Sequence, residues 1–175
     1  MRISTWWVAP LSALVLFASR TSFAQQAARP AVRSGVGVGA EATTTGIVGA
    51  TFVYDASVFH VDALLGGAYD SDDSITRVAG RFFFPLHISP SADFSIGPGI
   101  GFERATHRPG GEPTPPSVSV NSVHLEGAVQ IRAFLVQNVA FSATAGVGAV
   151  FTNGNNSAVI GGQLGGALGV TYFFF

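Results

Sequence analysis

The side chains that could do chemistry include two pairs of histidine and carboxylate, each two residues apart: His60 with Asp62, and His124 with Glu126. Two residues along an extended strand span about 7 Å, so the members of each pair share one face. An imidazole beside a carboxylate is the composition of an acid–base site or a metal site. The alternative is a network of buried ion pairs. We favour the network, because neither pair has the tight spacing of a ligand motif.

Two further segments resemble ligand-binding motifs. Residues 70–74 supply carboxylates, as a Ca²⁺ loop does, but lack the glycine and the distal glutamate of an EF-hand, so we expect a solvated loop. Residues 97–101 are rich in glycine, as a phosphate-binding loop is, but no helix follows them. Pro98 in that segment predicts a local bulge. We therefore expect no catalytic residue, no cofactor and no metal site.

Eight segments of alternating apolar and polar side chains carry these residues, and turn residues separate the segments. No segment shows a helical period. Each is long enough to cross a membrane as a tilted strand, which takes about 9–11 residues. The predicted strands cover residues 33–43, 46–55, 58–69, 75–86, 93–105, 119–135, 139–152 and 159–175.

The alternation sorts the side chains into two faces, and the charged residues collect on one of them. Four acids there meet three arginines and two histidines, which is close to the balance that an enclosed interior requires. An eight-stranded barrel is only wide enough to be filled by its own side chains, so we expect a plugged polar interior. The predicted interior network consists of Glu41, His60, Asp62, Arg77, Arg81, Glu103, His124, Glu126 and Arg132.

The composition argues against an ordinary water-soluble domain. Only 11% of the 175 residues are charged and 47% are hydrophobic, whereas soluble domains carry about a quarter charged residues. Beyond residue 24 no apolar run reaches about 18 residues, which leaves a transmembrane barrel or an unusually apolar soluble β-fold. The absence of cysteine excludes disulfides, and the net charge of −1 argues against nucleic acid as a partner.

The first 24 residues have the features of a secretory signal peptide, with Arg2, an apolar stretch at residues 6–18 and a small-x-small site at residues 22–24. We expect residues 1–24 to be removed, residues 25–32 to form a periplasmic lead-in and residues 33–175 to form one barrel. The shorter connections then fall in the periplasm and the longer ones outside. The longest, residues 106–118, is the candidate for contact with an external partner.

The last predicted strand is apolar on one face and aromatic at its tip. Such a strand would invite aggregation in water but closes a barrel in a bilayer. With these features the chain resembles the small eight-stranded outer-membrane barrels, the class that includes the OmpA-like transmembrane domain and OmpX. The resemblance implies a C-terminal signal that the barrel-assembly machinery reads, a glycine followed by spaced aromatics. Its residues here are Gly169, Tyr172, Phe174 and Phe175.

We therefore predict an all-β, eight-stranded antiparallel transmembrane up-and-down barrel, monomeric, surrounded by outer-membrane lipid and not an enzyme, with a structural or surface-interaction role. Barrels of this size include lipid A deacylases and palmitoyltransferases. A hydrolase needs a nucleophile beside a base, and Ser122 precedes His124, the reverse of the deacylase-type order. Two alternatives stay open: a secreted, lipocalin-like soluble barrel with a small apolar ligand inside, and a lipid-modifying barrel enzyme that uses His124 and Glu126.

Overall fold

The computed structural model describes residues 34–108, 116–152, 155–160 and 166–174. The predicted signal peptide at residues 1–24, the lead-in at residues 25–32 and Phe175 lie outside the described residues. No helix in the described part of the chain is long and apolar enough to span a membrane. The strands are β1 (Gly35–Thr43), β2 (Val48–Asp55), β3 (His60–Tyr69), β4 (Asp73–Ile88), β5 (Ala92–His107), β6 (Val118–Val136), β7 (Val139–Thr152), β8 (Asn155–Ile160) and β9 (Gly166–Phe174).

These strands form one closed antiparallel barrel. From β1 to β7 each strand pairs with the next, and β9 pairs with both β7 and β1. β8 pairs with residues 147–152 of β7 and β9 with residues 139–145, so β8 and β9 lie end to end and share the eighth position. The predicted eight-stranded up-and-down barrel is confirmed.

The predicted loop at residues 153–158 is wrong where the structure describes it, because Asn155–Ile160 is a strand. The run of asparagine and serine at its start has turn propensity. Antiparallel pairing with β7, from Thr152 opposite Asn155 to Val147 opposite Ile160, overrides that local preference.

The strands are staggered, as closure of a barrel requires. Followed pair by pair through β2 to β5, Ala42 of β1 is level with Asn121 of β6. Followed through β9 and β7 it is level with Ile131. Positions 121 and 131 are ten residues apart, and this shear of ten sets how the side chains of distant strands meet inside the barrel.

The connections define two ends of the barrel. At the turn end lie residues 56–59, 89–91 and 137–138, and at the loop end lie residues 44–47, residues 70–72, the end of β5 and the start of β6. The predicted 106–118 loop is therefore shorter than expected, because Thr106 and His107 continue β5 and Val118 begins β6. β4, β5 and β6 have 16, 16 and 19 residues, which exceeds the roughly 9–11 residues of a membrane crossing.

The bulge expected at Pro98 lies elsewhere. The β5–β6 register continues through Pro98 opposite Gly127, and the shift in the β4–β5 ladder falls between Pro85 and His87. The two strands approach closely beside Pro98, because a Cβ added to Gly97 would lie 1.7 Å from the carbonyl oxygen of Phe82. The missing side chain of Gly97 makes room for this approach without a change of register.

Burial alternates residue by residue along the strands, with polar side chains inside and apolar side chains outside. On β6, for example, His124 and Glu126 are buried whereas Val123 and Leu125 are exposed. Wherever the structure describes side-chain burial, the faces predicted for the strands are the observed ones. The lipocalin-like alternative requires the reverse orientation, so the described strands do not support it.

Candidate functional site

The nine residues of the predicted interior network all point into the barrel, where each is between 1% and 8% exposed. The structure places them in successive layers between the turn end and the loop end. Three of the four layers join strands that are not neighbours in the sheet, and the fourth joins the neighbouring strands β4 and β5.

The layer at the turn end is centred on Arg132 of β6. Its Nε donates a hydrogen bond to Oδ1 of Asp93 (3.0 Å) and its Nη2 donates to Oδ2 (2.8 Å). The same Nη2 lies 2.8 Å from Oδ2 of Asp55, on the far side of the barrel in β2. The guanidinium carbon stands 5.7 Å and 5.9 Å from the ring centroids of Phe134 and Phe173. Arg132 thus forms ion pairs with two carboxylates and cation–π contacts with two aromatic rings.

The next layer is a chain of neutral and acidic groups between β3 and β6. Nε2 of His60 lies 2.8 Å from the amide oxygen of Gln130. Because an amide oxygen only accepts, His60 donates and carries a proton on Nε2. The amide nitrogen of Gln130 donates to Oδ2 of Asp62 (2.8 Å) and to the hydroxyl of Thr144 (3.2 Å). The imidazole also stacks on Phe83 at 5.0 Å between centroids.

Arg81 of β4 forms the middle layer. Its Nε donates to Oε1 of Glu126 on β6 (2.8 Å), and its Nη1 donates to Oε1 of Glu41 on β1 (2.7 Å). The three side chains are 1–4% exposed. One guanidinium therefore connects three strands across the interior.

The layer nearest the loop end pairs Arg77 of β4 with Glu103 of β5. Nε of Arg77 donates to Oε2 of Glu103 (3.0 Å), and Nη2 contacts the same oxygen. Nη1 reaches the hydroxyl of Thr45 in the connection between β1 and β2 (3.4 Å). Nε2 of His124 lies 3.9 Å from Oε2 of Glu103, beyond hydrogen-bond distance.

Sequence reasoning missed Asp55 and Asp93 as members of the network. Both lie at the turn end of a strand, where a carboxylate reads as a turn residue. Strand parity would have found them, since Asp55 shares its face with Thr51 and Asp93 shares its face with Ser95. Gln130, which strand parity also places on the interior face, is the centre of a layer. The described interior holds six carboxylates and three guanidinium groups rather than four and three.

The described contacts pair no serine hydroxyl with a histidine. The hydroxyl of Ser122 is hydrogen-bonded to Thr152 at 2.8 Å, and Nε2 of His124 has no hydrogen-bond partner among the described residues. Within the described segments no group of three or more His, Asp and Glu side chains is close enough to hold a metal ion. The acidic loop predicted at residues 70–74 is shorter, because Asp73 begins β4. Asp73 contacts Nδ1 of His107 at 2.5 Å, and Asp70 accepts a hydrogen bond from the backbone amide of Ser71.

Comparisons with known proteins place the fold. No family model matches the chain, and no curated protein matches it. The N-terminal β-barrel domain of Pseudomonas aeruginosa OprF superposes with a TM-score of 0.52 and 10% identity, over 82% of this chain and 99% of that chain. Neisserial surface protein A (NspA) superposes with a TM-score of 0.49 and 15% identity, over 81% of this chain and 94% of that chain. At this level of identity the match to the OprF domain shows the barrel fold.

Proposed function

We propose that the chain is an integral barrel of the outer membrane of a Gram-negative-type envelope, with a structural or surface-interaction role. One observation carries the proposal: large apolar side chains stand exposed on the outside of the strands around a charged interior. Soluble monomers rarely expose such a continuous apolar surface. The exposed outward residues include Val38, Phe52, Leu65, Val78, Ile100, Leu125, Val147 and Leu168.

The short connections of the turn end are typical of the periplasmic side, and the outward aromatic residues support a membrane interface near that end. Near the turn end Phe59 stacks on Phe82 at 4.9 Å between centroids, and Phe82 meets Phe84 edge-on at 4.8 Å. Tyr172 and Phe174 form another edge-on pair at 5.1 Å. Outward aromatics at one height form the girdle by which such barrels sit at a membrane interface.

The interior contacts support a plug rather than a channel. Arg81 and Arg132 each connect strands from opposite sides of the barrel, and their carboxylate partners are buried with them. Side chains that cross the interior this way close it and brace the wall. The proposed role is therefore to anchor and present the loop end, with no catalytic step.

The partners we propose follow from the same orientation. Outer-membrane lipid would surround the apolar belt, which is the band of outward apolar side chains. The barrel-assembly machinery would read the last strand through Gly169, Tyr172, Phe174 and Phe175. Tyr172 and Phe174 stand outward and exposed, and Gly169 faces inward. The loop at the tips of β5 and β6 would meet an external partner. We expect the barrel to work as a monomer.

Membrane integration is tested by fractionation and by gel migration. The expressed protein should sediment with the outer membrane, resist extraction by urea and require detergent for solubility. Unheated samples should migrate differently on SDS gels from boiled samples, because a closed barrel keeps its hydrogen-bonded sheet in SDS. A monomer that stays in solution without detergent would contradict the proposal.

The effect on stability of an arginine placed on the outward face distinguishes a wall that faces lipid from a wall that faces water. Leu125→Arg lies within the apolar run of β6 and should destabilise the barrel by about 2–4 kcal/mol, the cost at a mid-bilayer site. Asn121→Arg is the matched control, because Asn121 is outward on the same strand but beyond that run. It should change the stability by less than about 1 kcal/mol, as near an interface. Urea unfolding in lipid vesicles measures both, and equal effects would contradict a lipid-facing Leu125.

A further inference from the structure

The outward face of β4, β5 and β6 changes character toward the loop end. Up to Val78, Phe102 and Val123, which lie side by side in the register, it is apolar. Two residues further along, the same face carries Thr76, Arg104 and Asn121, again side by side. Beyond them Thr106 and Ser119 share a hydrogen bond of 3.0 Å. The apolar belt therefore ends on this side at a sharp polar boundary.

Arg104 stands at this boundary in an unusual position for a charge. Of the arginines in the described residues, Arg77, Arg81 and Arg132 are buried inside and Arg108 follows the end of β5, so Arg104 alone is on the outward face of a strand. It makes no ion pair or hydrogen bond with the residues that the structure describes. Thr76 and Asn121, its neighbours across the sheet, add hydrogen-bonding side chains on either side.

Directly below Arg104 the outward wall has a shallow, open apolar groove. Its outward lining residues are Val78, Gly80, Ile100, Phe102 and Val123. Gly80 opens the groove, because a Cβ added there would meet nothing nearer than the carbonyl oxygen of Asp62 at 4.0 Å. The absence of this side chain therefore has no packing cause in the wall, and it leaves space beside Ile100 and Val78.

We propose that this groove and the polar row above it form a binding site for one anionic, phosphate-bearing membrane lipid. An acyl chain lies in the groove, and the phosphate meets the guanidinium of Arg104 between Thr76 and Asn121. Charge complementarity selects this occupant, since arginine binds phosphate oxygens with paired N–H donors. A second copy of the chain fits less well, because it would bring another Arg104 to the same boundary and the two positive charges would repel each other. The proposal rests on the proposed membrane location.

Lipid binding to the detergent-purified barrel, measured by native mass spectrometry, tests the site. The probes are phosphatidylglycerol, diacylglycerol with the same chains, and glycerol 3-phosphate. Phosphatidylglycerol should bind more tightly than either of the others, since each of those offers only half of the ligand. Arg104→Gln should weaken phosphatidylglycerol binding about fivefold, the contribution of one arginine near an anionic lipid surface. Arg108→Gln, which removes a nearby charge from outside the wall, should leave it unchanged.

A second pair of variants tests the groove itself. Gly80→Val fills the groove and should weaken phosphatidylglycerol binding by a similar factor. Gly127→Val is the control, because it adds the same side chain at an outward position with open space around it, and it should leave the binding unchanged. Gel heat-modifiability shows that each variant folds, and it reports on the membrane-barrel proposal separately. If Gly80→Val does not fold, Arg104→Gln decides. The lipid site would be overturned if diacylglycerol bound as tightly as phosphatidylglycerol, or if Arg104→Gln bound phosphatidylglycerol as the wild type does. It would also be overturned if the wild-type barrel formed a dimer that Gly80→Val abolished, because the groove would then hold a second copy of the chain.

Discussion

Arg81→Met should destabilise the barrel by about 3–5 kcal/mol, the loss seen when one partner of a buried ion pair is removed. Methionine keeps the length of the side chain but leaves Glu41 and Glu126 buried without the cation that both contact, at 2.7 Å and 2.8 Å. Repulsion between two uncompensated carboxylates would loosen β1, β4 and β6 together. Unfolding by urea in lipid vesicles measures the loss.

Two further variants separate the lost pairing from the lost side chain. Arg108→Met removes an arginine from the exposed loop end and should change the stability by less than about 1 kcal/mol. Adding Glu41→Gln and Glu126→Gln to Arg81→Met removes the unpaired charges and should restore part of the stability, since replacing a whole buried network costs less than breaking it. No loss for Arg81→Met would mean that the middle layer does not brace the wall.

Phe173→Ala should cost about 3–5 kcal/mol, the usual penalty for truncating a buried phenylalanine. The ring is fully buried at the turn end in a cluster with Val53, Phe134 and Ala140. The backbone around it is also held, because its N–H donates to the carbonyl of Asn138 (2.7 Å) and its carbonyl accepts from the side-chain amide of Asn138 (2.8 Å). Truncation of the ring would therefore leave a cavity at the turn end, where β9 closes the barrel.

Phe174→Ala is the matched control, since Phe174 is the next residue on the same strand but points outward and is 54% exposed. Its loss leaves no interior cavity, and it should destabilise by less than half as much. Unfolding in lipid vesicles and the fraction of heat-modifiable barrel at moderate temperature measure both variants. Equal losses would mean that Phe173 does not act through interior packing.

Side-chain direction was predictable from sequence because it is a local property of the strand. Successive residues of an extended chain point to opposite faces, so the alternation of Leu125 and Val129 with Glu126 and Gln130 sorts them without knowledge of any partner. Once one face was assigned to lipid, the interior positions of Glu41, Arg77 and Arg81 followed by the same count. The number of strands and the closed fold followed from eight such segments.

Contacts across the interior were decided only by the tertiary structure. Which acid meets which arginine depends on the shear of the barrel, and that is a sum of registers over all of its strands. Asp55 of β2 reaches Arg132 of β6, and Glu41 of β1 reaches Arg81 of β4, although neither pair is close in sequence or adjacent in the sheet. Strand parity puts Asp55 and Asp93 on the interior face, but only the tertiary structure shows that both carboxylates meet Arg132.

The sequence by itself therefore determined the barrel class, the outward apolar face and nine members of the interior network, because each depends on a period of two along one strand. The tertiary structure decided the layered pairing, the strand at Asn155–Ile160 and the groove below Arg104. Each of these depends on side chains or backbone from two or more strands at the same height, and no local pattern encodes that height.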